Sequence, residues 1–179
     1  MILTSYTKEA LLRLCNKYAV IFNGIDYESV EVIGMPKPTL EEVLAKANEI
    51  ELEFSKLEYA KISKSLEAEA RNKIAGNQNS NLVSHWSNQR FIAEKILHNT
   101  ASEIERDCFL AELELRNSIE GYSETLEDFC NKILAKSNEY TLKMCRISGA
   151  LKLFLSQINL VKTKEELITL FEKFKSRLN

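Results

Sequence analysis

One ribbon of apolar residues restricts what this chain can fold into. Leu126, Cys130, Ile133, Ser137, Tyr140, Met144, Ile147, Leu151, Phe154, Ile158 and Val161 follow one another in alternating steps of four and three. A strand alternates its side chains with period two and cannot keep this set on one face. A helix can, and a sustained repeat of about 3.5 residues is a seam that wants another helix along its length. The sequence therefore predicts a long packed helix over 126–161.

Breakers are rare: two prolines and five glycines in 179 residues. Such a chain must be built mostly of long elements. It is long enough for one domain with a real core, and 45% apolar against 28% charged residues is not a disordered composition. Net charge is −2, and residues 77–121 sum to −3. Overall attraction to nucleic acid or anionic membrane is not built in. The basic residues of the last segment, Lys162, Lys164, Lys173, Lys175 and Arg177, read as a solvated helix face. No basic region followed by an apolar run opens the chain, and no apolar stretch approaches the roughly 20 residues of a membrane span. The expectation is a soluble cytoplasmic protein. Cys15, Cys108, Cys130 and Cys145 are scattered and read as small buried hydrophobes rather than disulfides.

Taken in order, Ser5 or Thr7 can cap a first helix whose face carries Leu11, Leu14, Cys15, Tyr18 and Phe22. At Asn23-Gly24 two readings stay open. Gly24 ends the helix, or Val20–Phe22 and Ile25–Tyr27 are strands joined by an Asn-Gly turn. Helical spacing through Phe22 favours the first. Tyr27–Ile33 has strand character, and Gly34–Pro38 is a linker.

Thr39-Leu-Glu-Glu42 is a capping box opening a helix to about Ala75, with Val43, Ala47, Ile50, Phe54 and Leu57 as its seam. A polar turn spans 76–81. A third long helix is expected over 82–120. Its seam is Leu97, Ala101, Ile104, Cys108, Ala111, Leu115 and Ile119, and a second apolar face carries Phe91, Ile92, Ile96, Phe109 and Leu113. Gly121 breaks it, and Ser123 or Thr125 caps the ribbon helix. Gly149 lies inside that helix at a cost of about 1 kcal/mol against alanine. Thr163-Lys-Glu-Glu166 caps a last helix bearing Leu167, Phe171, Phe174 and Leu178.

The fold class expected is mainly α: an elongated antiparallel bundle of three long helices with coiled-coil-like seams, plus a small N-terminal helix, or a β-hairpin there, and a short C-terminal helix. The divisions are 1–38 for the N-terminal segment and linker, 39–161 for the bundle, and 162–179 for the amphipathic terminal helix.

No constellation carries chemistry. His85 and His98 fall on different faces of one helix without the three or four converging ligands of a metal site. Glu94 and His98 read as a surface pair. Carboxylates alternate with lysines and arginines as on a solvated face. No phosphate-binding glycine loop and no nucleophile elbow occurs. The expectation is a non-enzyme with no catalytic, cofactor or metal residues and no small-molecule substrate. Trp86 near Gln89, Arg90 and Phe91 has the makings of a base-stacking site, or of a plug at the bundle end.

The last third, Tyr122–Phe129, Ile133–Lys136, Tyr140, Ile147–Gly149 and Thr163–Leu167, resembles the ending of small helical tail-associated proteins of tailed bacteriophages. Those also follow a Pro-rich turn with a Glu/Lys-rich helix, as Pro36–Leu66 does here. The chain departs from them in lacking alanine and arginine richness and a clear tip-binding domain. The resemblance implies a virion tail component or tail-fibre assembly factor, placed in host cytoplasm or virion, with no enzymatic residues to carry over.

The functional expectation is a helical structural or assembly protein acting through protein–protein contacts, with itself or a larger virion assembly, and without nucleic acid or membrane. Expected interface residues are Leu167, Phe171, Phe174 and Leu178, on a helix easily released, and Trp86. Alternatives are an inhibitor or regulatory adaptor that sets an acidic helix face against another protein, or a single-strand nucleic-acid binder using Trp86, Arg90 and the terminal lysines.

Overall fold

Capping residues decide where the elements of this chain start. In the computed structural model, residues 1–76, 80–119, 121 and 123–178 are described, with 80–84 as backbone alone. They form α1 (Ser5–Leu14), β1 (Ala19–Phe22), β2 (Val30–Ile33), α2 (Leu40–Ile74), α3 (Ser80–Leu97), α4 (Glu103–Asn117), α5 (Leu126–Ile158) and α6 (Lys164–Ser176). The protein is mainly helical, with one small antiparallel hairpin.

The first helix does not reach Phe22. It ends at Leu14, and Ala19–Phe22 is a strand paired with Val30–Ile33, Phe22 opposite Val30. Run-on helical spacing lost to β-branched residues on both sides of the turn. Asn23-Gly24 is not a two-residue turn either, because the connection runs to Ser29 through a 3-10 turn at Tyr27–Ser29. Gly34, just past β2, has φ +97, and a Cβ there would stand 2.9 Å from the Tyr18 ring. Only glycine serves at that exit.

The capping box of α2 forms as expected. The Glu42 N–H donates to Thr39 Oγ1 at 3.2 Å, and the Thr39 N–H donates to the Glu42 carboxylate at 2.7 Å. The helix runs unbroken for 35 residues to Ile74, and Gly76 has φ 63. The rest of the expected polar turn, 77–79, and the junction residues 120 and 122 lie outside the described residues. Thr125, not Ser123, caps α5, accepting from the Asp128 N–H at 3.1 Å. Gly149 is passed without interruption, and α5 ends at Ile158 rather than Val161. Every seam residue of α5 is buried or half-buried.

The expected third long helix is two helices. The chain leaves helix at His98, Asn99 takes φ 54, and Ser102 starts α4 with a complete capping box to Glu105. A side-chain cap on both orphan N–H groups of the new helix competes with continued helix through 98–102.

The chain divides into two compact units, discontinuous in sequence: Met1–Lys64 with Leu153–Lys175, and Ser65–Lys152 with Ser176–Asn179. In the first, Leu3, Ala10, Leu11, Val30, Val43, Ala47 and Ile50 form a core with the hairpin against α1 and α2. A second group joins Tyr59, Phe154, Phe171 and Phe174, with the Phe154 and Phe174 rings 5.1 Å apart. In the second unit, Ala93, Ile96, Phe109, Leu113, Phe129 and Cys130 close the core among α3, α4 and α5.

Candidate interaction site on the second unit

The α4 helix settles which of its two apolar faces faces inward. Phe109 and Leu113 are buried against Phe129 and Cys130, while Phe91 of the same expected face is exposed on α3. Of the stripe read from sequence as the seam, Leu97 and Ala101 pack against this core, but its α4 part points to water: Ile104 is 77% exposed and Leu115 72%, with Cys108 and Ala111 also exposed and Ile119 58% exposed beyond the helix end. The reason is chemical. Two adjacent aromatic and leucine positions bury more area than a stripe containing Cys108 and Ala111.

Helical spacing sets Glu103, Asp107 and Glu114 along one edge of this exposed stripe and Glu105 and Glu112 along the other. Arg106 falls on the far side of the helix, and Arg116 lies one turn beyond Glu112 on its edge. Glu105 takes the Lys95 ammonium at 2.6 Å and the Ser102 N–H at 2.8 Å, which holds its carboxyl down at about 2. Glu112 accepts from Gln89 at 3.2 Å. Glu103, Asp107 and Glu114 have no cationic partner among the described residues. The outward face of α4 is thus an apolar ridge between carboxylates.

Beside it lies a groove of about 630 Å³ lined by α3, α4, α5 and Ile74. Its apolar lining includes Ile74, Phe129 and Ile133, and Trp86 meets Tyr140 edge to face at 6.0 Å. Arg90, Arg116, Lys136 and Lys143 outnumber Glu112 and Glu139 along its walls. Arg90 pairs with Glu94 and Lys143 with Glu139, whereas Lys136 has no carboxylate partner among the described residues. The Arg116 guanidinium lies 4.8 Å over the Phe129 ring, 3.5 Å from the Glu124 carboxylate, and its buried Nε has no hydrogen-bond partner among the described residues. Lys132, foremost, keeps the Glu124 carboxyl below its usual range, against the burial that would raise it. The Asn117 side-chain amide donates to the Glu124 carbonyl and accepts the Glu124 N–H, each at 2.9 Å.

Of the expected interface residues, the structure brings Trp86 to the groove and turns α6 inward. Leu167, Phe171 and Phe174 are buried and Leu178 is half-buried. Their spacing is that of a face packed within the fold, where Phe154 covers it. His98 directs Nδ1 to the Glu94 carbonyl at 2.7 Å, and Glu94 itself pairs with Arg90, so the expected Glu94–His98 pair does not form. Among the described residues no cluster of His, Cys, Asp and Glu could hold a metal ion, and no helix is long and apolar enough to cross a membrane. Cys15 and Cys130 are buried as expected, but Cys108 and Cys145 are exposed thiols. The sequence did hold a signal for the outward ridge, the Ser102-x-x-Glu105 pattern that ends α3 and lets α4 choose its own inward face. Comparison with protein-family models, curated proteins and solved structures finds no match.

Proposed function

We propose that this is a non-enzymatic helical protein that works through protein–protein contacts, with the outward ridge of α4 as its contact surface. One observation carries the reading: a helix already packed through Phe109 and Leu113 keeps a second apolar stripe, Ile104 to Leu115, open to water. Solvent-facing apolar rows rimmed by charge mark interaction sites, and a stripe in heptad spacing suits a partner helix. The surplus seam is then one that pairs between chains. The resemblance of the last third to phage tail-associated proteins suggests a setting, a tail or tail-assembly complex in virion or host cytoplasm.

The test is a pair of variants, Ile104→Gln and Leu115→Asp, introduced into the cells that make the protein. Loss of its co-purifying partners with thermal stability unchanged supports the reading. Retention of every partner by both variants ends it.

A second reading, single-strand nucleic-acid binding, is favoured by the Trp86–Tyr140 pair beside Arg90, Arg116 and Lys136. Trp86 is the sole tryptophan. Saturable quenching of its fluorescence by oligonucleotides, weakening steeply with salt, would select that reading.

A further inference from the structure

We infer that the contact surface is self-complementary: the acidic-rimmed ridge of α4 on one copy seats in the cationic, aromatic groove of another. This deepens the contact reading above and rests on it. The two surfaces belong to the same unit, are both apolar, and differ in shape and in the sign of their charge. The ridge presents apolar side chains, Ile104 and Leu115, beside an edge where Asp107 and Glu114 have no cationic partner among the described residues. The groove presents apolar walls, Phe129 and Ile133, with a surplus of cations, of which Lys136 has no carboxylate partner among the described residues.

Ridge against ridge is disfavoured, since it would set carboxylate rows face to face and leave Lys136 without a carboxylate. Ridge into groove buries apolar surface and brings Asp107 and Glu114 toward Lys136 and Arg116. The two patches are different surfaces, so the contact is heterologous, and each copy offers both halves of it. Its charge component is exposed at the rim, so it weakens as salt shortens the screening length.

The experiment is molar mass by light scattering on the full chain over a concentration series, with Leu115→Asp, Lys136→Glu and an equimolar mixture of the two. The wild-type mass should climb from 20.5 kDa towards at least twice that value with concentration, and fall back in high salt. Each variant alone should stay at the monomer mass. Their mixture should recover one contact, because the intact ridge of the Lys136→Glu chain meets the intact groove of the Leu115→Asp chain, and the mass should stop at a pair. Identical melting curves for all three chains would show that folding is not what changed.

A wild-type chain that stays monomeric throughout overturns self-docking, and the loss of cellular partners by the ridge variants then decides separately whether the contact reading stands. Association abolished by Leu115→Asp but untouched by Lys136→Glu, with no recovery on mixing, also overturns it in favour of ridge-to-ridge pairing. Fluorescence quenching of Trp86 by oligonucleotide, with no rise in mass, overturns it in favour of nucleic acid in the groove.

Discussion

The Lys95 ammonium donates to Glu105 at 2.6 Å across the break between α3 and α4, while the second oxygen of that carboxylate takes the Ser102 N–H at 2.8 Å. One side chain closes the cap of α4 and ties it to the last turn of α3. The break that turns the ridge outward is therefore bridged by this carboxylate, while the Thr100 N–H closes the end of α3 on the Lys95 carbonyl at 2.8 Å.

That arrangement sets an acid response. The Glu105 carboxyl is held at about 2, so its unfolded value lies above its folded one. The stabilisation is present above the unfolded value, and is lost as pH falls from about 4.3 through about 2. A carboxyl-resolved NMR titration should place Glu105 well below the ordinary glutamate range, and Lys95→Met should raise it.

Ser102→Ala removes the hydroxyl that receives the Glu105 N–H and should cost about 1 kcal/mol. Chemical denaturation measures it. A cost near zero would mean that the break does not depend on this cap.

Opposite faces of α4 should respond in opposite ways. Phe109→Ala, in the core against Phe129 at 5.6 Å between rings, should cost about 3–5 kcal/mol. Leu115→Gln, on the ridge, should stay within about 0.5 kcal/mol of the parent. The ratio of the two on one helix separates a core face from a contact face.

The terminal helix should behave as core. Phe174 is buried beneath Phe154 and Phe171, so Phe174→Ala should cost about 3–5 kcal/mol in global unfolding. An α6 that served as a detachable arm would instead lose little.

Gly149→Ala offers the converse. Beyond the adjoining residues and the helix's own backbone, no atom of the described residues lies within 4 Å of the added Cβ, and the site is mid-helix in α5. The substitution should stabilise by about 1 kcal/mol, raising Tm by about 2–4 °C for a chain of this size.

Periodicity made the extent of α2 and α5 legible because each runs between a Thr-led capping box and a glycine or loop, but the α2 seam holds only at Val43, Ala47 and Ile50, since Phe54 and Leu57 are exposed. It failed at α3 and α4, where apolar spacing runs through a cap: Leu97, Ala101 and Ile104 keep step across the very residues where Asn99 turns the chain. Spacing records which side chains share a face, and is blind to whether the backbone continues. It also offered two faces for 103–119 without ranking them, since the choice was made by Phe129 and Cys130 on another helix. The hairpin was half visible in Val20–Phe22 and Val30–Ile33, but their pairing is a long-range fact. The groove was legible only at Trp86 and Arg90. Lys136, Tyr140 and Arg116 are distant from these in sequence and meet them through folding alone.

Cys108 sits in the exposed ridge, and its alkylation rate against that of Cys145, which does not line the groove, reports directly on whether the ridge is a contact surface. In dilute protein both thiols should react readily. At concentrations where the mass has risen, Cys108 should slow at least tenfold while Cys145 keeps its rate. A Cys108 that is unreactive in the dilute monomer, or one whose rate is unchanged on association, would contradict the assignment of α4 as the contact helix.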